Sequence, residues 1–198
     1  MFQPLQAMLA QPASGTVDAL QRLGEAALEF KLDGARIQVH RVDEQVRVYT
    51  RQLHDVTERV PEVVDAVLAL PCRRLLLDGE AIALSGDGRP LPFQVTMQRF
   101  GRRRDIDEVR RRIPLSARFF DCLLIDDDEL IDADGAGRDD ALRSLLPGDL
   151  CVERLVTSEP DGATAFLRRA IAAGHEGIMA KSLTAPYQAG SRGTEWLK

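Results

Sequence analysis

The sequence predicts an α+β domain built mainly on antiparallel sheets flanked by helices, and three observations carry that prediction. Apolar residues alternate in short runs bounded by turn residues, as in a first hairpin where Ile37 and Val39 share one face and Val46 and Val48 another. Helical patterns are interspersed among these runs, but not at the regular spacing of βα units, which argues against a doubly wound sheet. Neither GxGxxG nor GxxxxGK[ST] occurs, so any bound nucleotide is held without a Rossmann or P-loop phosphate cradle.

Taken in order, Asp43, Glu44 and Gln45 form the polar turn of the first hairpin, which ends at Tyr49, Thr50 and Arg51. Val60, Val63, Val64, Val67 and Leu68 then repeat at helical spacing, with Pro61 tolerated in a first turn, so a helix is predicted over 60–70. Residues 75–84 read as a buried strand with Asp78, Glu80 and Ile82 on one side, and two carboxylates on such a strand require a reason. A turn at 85–88 leads into an irregular, arginine-dense region, 99–112, and residues 118–125 form a second apolar strand. Residues 126–140 read as a polar loop or hairpin, followed by short helices near 139–146 and 161–173, the latter stopping at Gly174. Strands are expected from Glu176 to Leu183 and at Trp196, Leu197 and Lys198.

With 198 residues, 44% of them hydrophobic, the chain can bury a sizeable core. A net charge of −5 excludes a protein that coats nucleic acid by bulk charge and leaves room only for a local basic patch. Three widely spaced cysteines show neither a disulfide framework nor zinc spacing, and His40, His54 and His175 show no ligand spacing. The N-terminus carries no leader pattern, and no long apolar run occurs; these features predict a soluble, intracellular (cytoplasmic) protein without a membrane partner.

The cations hold the sharpest signal: of 26 Lys plus Arg, only Lys31, Lys181 and Lys198 are lysines. An arginine cannot give up its proton, whereas a lysine amine can and can then attack an electrophile. Lys31-Leu32-Asp33-Gly34-Ala35-Arg36 is similar to the KxDGxR nucleophile motif of ATP-dependent DNA ligases, and Thr50-Arg51, Asp78-Gly79-Glu80 and Phe120-Asp121 resemble the motifs that follow it. Glu176-Gly177-Ile178-Met179-Ala180-Lys181 resembles EGxMxK, and Trp196-Leu197-Lys198 the start of the last motif. All occur in the family's order, and together they contain all three lysines.

The resemblance implies one nucleotidyltransferase (adenylation) domain, ATP-grasp-like in fold, over residues 1–198. The family's C-terminal OB-fold domain lies outside this chain, so a weakened, ATP-binding fragment acting as a monomer is expected. It further implies ATP and Mg²⁺ as cofactors, nicked double-stranded DNA as partner, and Lys31 as the nucleophile that takes AMP from ATP for transfer to a 5′-phosphate and strand sealing in repair or replication. Arg36, Arg51, Lys181 and Lys198 are expected at ribose and phosphates, Phe120 on the adenine ring, Glu80 at the sugar hydroxyl or the metal, and Glu176 at the metal. The cations Arg36, Lys181 and Lys198 with Mg²⁺ are expected to cluster around Lys31 and favour its neutral amine. Glu29, two residues before Lys31 and on the same face of an extended segment, can only accept hydrogen bonds; that suits the exocyclic amine of adenine rather than the carbonyl of guanine. The arginines from Arg99 to Arg112, Arg103 among them, read either as DNA-phosphate contacts or as a solvated, internally paired face. An RNA ligase, a capping guanylyltransferase and a non-catalytic ATP-binding fragment are the alternatives.

Overall fold

The computed structural model describes residues 2–102 and 104–198, so Arg103 of the arginine-dense region lies outside the described residues. The chain runs α1 (Thr16–Leu23), β1 (Ala26–Lys31), β2 (Ala35–Val42), β3 (Gln45–Thr50), α2 (Pro61–Leu68), β4 (Arg74–Ala83), α3 (Phe93–Phe100) and α4 (Ile106–Arg112). It continues through β5 (Leu115–Ile125), β6 (Asp128–Glu129), α5 (Gly135–Leu145), β7 (Arg154–Thr157), α6 (Pro160–Ala172), β8 (Gly177–Ser182) and β9 (Trp196–Leu197).

The strands form two antiparallel sheets, one ordered β7-β1-β8-β9 and the other β3-β2-β4-β5-β6, which bears out the α+β prediction. One face of the larger sheet buries Ile37, Val39, Val48, Leu75, Leu77 and Phe119 beneath α2 and α5, the main hydrophobic core. The smaller sheet buries Ala26, Leu28 and Ala180 under α1 and α6. Because strand side chains alternate, the opposite faces carry the polar residues together with a third buried cluster of Met8, Leu76, Leu123, Leu124, Tyr187 and Trp196, and these two faces enclose the candidate site.

Four expectations need correction. Residues 126–140 are not all loop: α5 starts at Gly135, capped by Asp134, whose carboxylate accepts from the Gly137 amide at 2.7 Å. The arginine-dense region is not irregular but holds the end of α3 and all of α4. Arg99 there is neither solvated nor free for DNA: it is fully buried, grips both oxygens of Glu62 at 2.9 and 3.0 Å and donates to the Arg59 carbonyl at 2.7 Å. Strand β7 and helix α1, both short, had no periodic pattern long enough to announce them. No helix among the described residues is long and apolar enough to cross a membrane, and the three cysteines are buried and unpaired.

Candidate active site between the two sheets

A cavity of about 420 Å³ lies between the polar faces. Alternation on β1 and β8 sends Glu29, Lys31, Met179 and Lys181 into it from one sheet, and Arg36, Glu80 and Phe120 enter from the other. Arg51 and Lys198 stand at the ends of their strands on its rim. Every residue the resemblance assigned to nucleotide, phosphate or metal thus lines the cavity except Glu176. That carboxylate sits just outside, beside a second, apolar pocket of about 360 Å³, and receives a hydrogen bond from Lys31 Nζ. The β1–β8 pairing builds this contact, since Lys31 lies opposite Gly177 and the Glu176 amide donates to the Lys31 carbonyl.

Behind Lys31 the turn approaches β4 closely. The Gly34 amide donates to Glu80 Oε1 at 3.2 Å, and a Cβ on Gly34 would lie 2.5 Å from the Ala81 carbonyl oxygen. No side chain fits there without moving the backbone. Burial, only partly opposed by Arg36, pushes the Glu80 carboxyl up to about 7.

Arg36 forms a two-point pair with Asp78 at 3.1 and 2.6 Å and reaches the Met8 carbonyl at 2.7 Å. Tyr187 donates to the same Asp78 at 2.7 Å, and burial first, then the Asp78 charge, moves its hydroxyl far above the ordinary tyrosine range. Asp78, an unexplained carboxylate in the sequence, is therefore the counter-ion of the KxDGxR arginine. Lys181 is likewise committed: its Nζ lies 2.6 Å from Glu29 Oε2 and 3.0 Å from the Phe120 carbonyl, between the rings of Phe120 and Trp196 at 4.5 and 4.3 Å. Glu29 is 1% exposed, and its other oxygen accepts from Arg154 Nη1 at 3.0 Å.

Arg36, Lys181 and Lys198 line one cavity with Lys31, but not all as free charges. Arg36 and Lys181 are neutralised by carboxylates because buried charge is tolerated only when paired, and the contact Lys31 makes is with an acid. Arg51 and Lys198 are exposed and have no side-chain partner among the described residues, and Arg192, which the sequence reading missed, shares that state on the same rim. Its sole signal was a lone arginine in a glycine- and serine-rich turn just before Trp196. As alternation predicts, Phe119 is core and Phe120 faces the cavity. Phe93, Met97 and Phe100, on one side of α3, close the cavity with an apolar wall that the sequence did not disclose. Among the described residues no three acids, histidines or cysteines gather as a metal cage.

A cavity with a lysine at its mouth, an inner end of paired charges and exposed cations on its rim invites comparison with known proteins. Residues 7–198 match the ATP dependent DNA ligase domain. The chain is 58% identical over its whole length to a probable DNA ligase of Anaeromyxobacter sp. (strain Fw109-5), and 53% identical over 99% of its length to DNA ligase B of Mycobacterium tuberculosis (strain ATCC 25618 / H37Rv). It spans 38% and 39% of those proteins. Among solved structures, the ligase domain of M. tuberculosis LigD superposes with a TM-score of 0.74 at 27% identity, covering 98% of this chain and 58% of that one. A mycobacterial DNA ligase D complexed with ATP and MES gives 0.72 at 27% identity, covering 98% of this chain and 59% of that one. Motif order, two-sheet architecture and these matches agree, and the chain belongs to the ATP dependent DNA ligase domain family.

Proposed function

We propose that the cavity is an ATP site in which Lys31 Nζ attacks the α-phosphorus, forming a lysyl-AMP phosphoramidate and releasing pyrophosphate. In the whole ligase the AMP then passes to the 5′-phosphate of a DNA nick, and a 3′-hydroxyl displaces it to seal the strand. The observation that carries this reading is that a lysine at the mouth of the cavity is aligned with the residues singled out around it. An amine attacks only after losing its proton, and the carboxylate in contact with this amine is Glu176.

At the inner end, Glu29 presents lone pairs not used by Arg154 and Lys181 to an adenine amino group, and Phe120 offers a ring against the base. Arg51, Arg192 and Lys198, free of carboxylates, are the cations available to phosphate oxygens. The donor set fits Mg²⁺, which takes one or two carboxylates and fills its shell with water and phosphate: Glu80 and Glu176 both neighbour Lys31, and burial leaves Glu80 an acid that a divalent ion would ionise. Held by those two residues, Mg²⁺ would neutralise charge developing on the phosphates.

Intact mass after incubation with ATP and Mg²⁺, beside GTP, NAD⁺ and Lys31→Ala, tests this reading. It expects a gain of about 329 Da, one adenylyl group, with ATP alone and none in the variant. A gain with GTP, or one that survives Lys31→Ala, would overturn it.

A further inference from the structure

Arg154 does not line the cavity, belongs to no motif, and lies on the edge strand β7, yet it sits directly opposite Glu29 in the β1–β7 register. Its Nη1 reaches Glu29 Oε1 at 3.0 Å and Asp139 Oδ1 on α5 at 3.2 Å, with its side chain 8% exposed. We propose that Arg154, braced by Asp139, is the positioning residue that sets base selectivity by holding Glu29 Oε1 and so fixing the aim of its carboxylate. The inference rests on the reading of Glu29 as the group that meets the base.

The argument turns on why one carboxylate has two cations. Lys181 alone would neutralise Glu29, and its Nζ is 2.6 Å from Oε2. A lysine on one oxygen leaves the carboxylate free to turn about that contact, whereas a second donor on the other oxygen fixes the plane of this group, 1% exposed. A carboxylate held at both oxygens presents its remaining lone pairs in one direction, where they accept from an exocyclic amine and oppose a carbonyl oxygen. Arg154 supplies that second donor, and Asp139, which Arg143 also holds at 3.1 and 2.9 Å, stands behind it. The geometry also sacrifices a hydrogen bond: among the described residues the buried Arg154 Nε has no acceptor, because the guanidinium is turned to point Nη1 at both acids.

The anchoring reaches further into α5. Arg138, next to Asp139, binds Asp121 at 2.7 Å, and Asp121 follows Phe120. A Cβ on Gly135 would meet the Ser182 carbonyl oxygen at 2.5 Å, so α5 is seated tightly against the end of the strand that carries Lys181. One turn of helix thus steadies both residues assigned to the base.

Calorimetric titration with AMP and with GMP, which carry the α-phosphate but cannot react with Lys31, reads selectivity apart from the covalent step. The wild-type chain is expected to prefer AMP at least about tenfold, Arg154→Met to fall to within about threefold, Asp139→Asn to lie between, and Arg154→Lys to recover most of the preference. A purely structural role would weaken both nucleotides alike and leave their ratio unchanged; that result in Arg154→Met, or in Asp139→Asn should Arg154→Met fail to fold, overturns the assignment of Arg154 alone. A wild-type chain with no preference overturns the reading of Glu29, and this inference with it.

Discussion

At the inner end of the cavity every charge meets a counter-charge: Arg36 with Asp78, Lys181 with Glu29, Arg154 with Glu29 and Asp139. At the rim, Arg51, Arg192 and Lys198 are exposed and stand without side-chain partners among the described residues. The same residue types do different work in the two places. Out of water, a cation must be paired and so becomes part of the framework, fixing where a ring or carboxylate sits; in water it can remain unpaired and available to a polyanion.

The largest effect that contrast predicts is on stability. Arg36→Met leaves Asp78, 2% exposed, without its cation, and urea unfolding is expected to show a loss of about 3–5 kcal/mol. A loss under 1 kcal/mol would mean that the inner pairs are not structural.

The acid response belongs to the buried side as well. His40 is 1% exposed, accepts from the Phe2 amide at 3.2 Å and bonds Gln38 at 2.9 Å; burial lowers its pKa from 6.5 to about 4. A folded value below the unfolded one favours the neutral ring in the native state, so its contribution is whole above pH 6.5 and is lost as the pH falls through 4. That contribution is about 3 kcal/mol. Unfolding free energies between pH 7 and pH 4 should fall more steeply in the wild type than in His40→Gln, and equal slopes would refute the account.

Next comes Gly34→Ala. The added methyl must displace the β4 backbone or the nucleophile's turn, and a misplacement of this size is expected to slow lysyl-AMP formation about 100-fold in single-turnover assays. Unchanged kinetics would show that the turn is not held by that close approach.

The smallest structural effects belong to the rim. Arg51→Ala and Arg192→Ala should leave stability within about 0.5 kcal/mol while weakening ATP about tenfold, more so at low salt. Either variant unfolding early would erase the distinction between the two ends.

Much of this was legible from the chain alone. The hairpin, strands β4 and β5, and helices α2 and α6 were readable because long apolar patterns repeat at periods of two or 3.6 residues. Helices α1, α3 and α4 are as short as α2 but carry no comparable run of apolar residues at helical spacing, so tertiary contacts decide them and local pattern does not. Lys31, Glu80, Phe120 and Lys181 were found because motif order names residues that converge. Arg154 and Arg192 were not, since an arginine among many arginines carries no signal until its neighbours are known.

The sequence by itself determined the first hairpin, strands β4, β5 and β8, helices α2 and α6, which face of those strands is apolar, and that one of three lysines stands in a nucleophile motif. Only the tertiary structure decided which charges are paired and which are free. Pairing depends on what stands opposite: Glu29 meets Arg154, 125 positions away, across β1 and β7, and Arg36 meets Asp78, 42 positions away, across β2 and β4. Local pattern fixes the direction a side chain takes, and the fold supplies its partner.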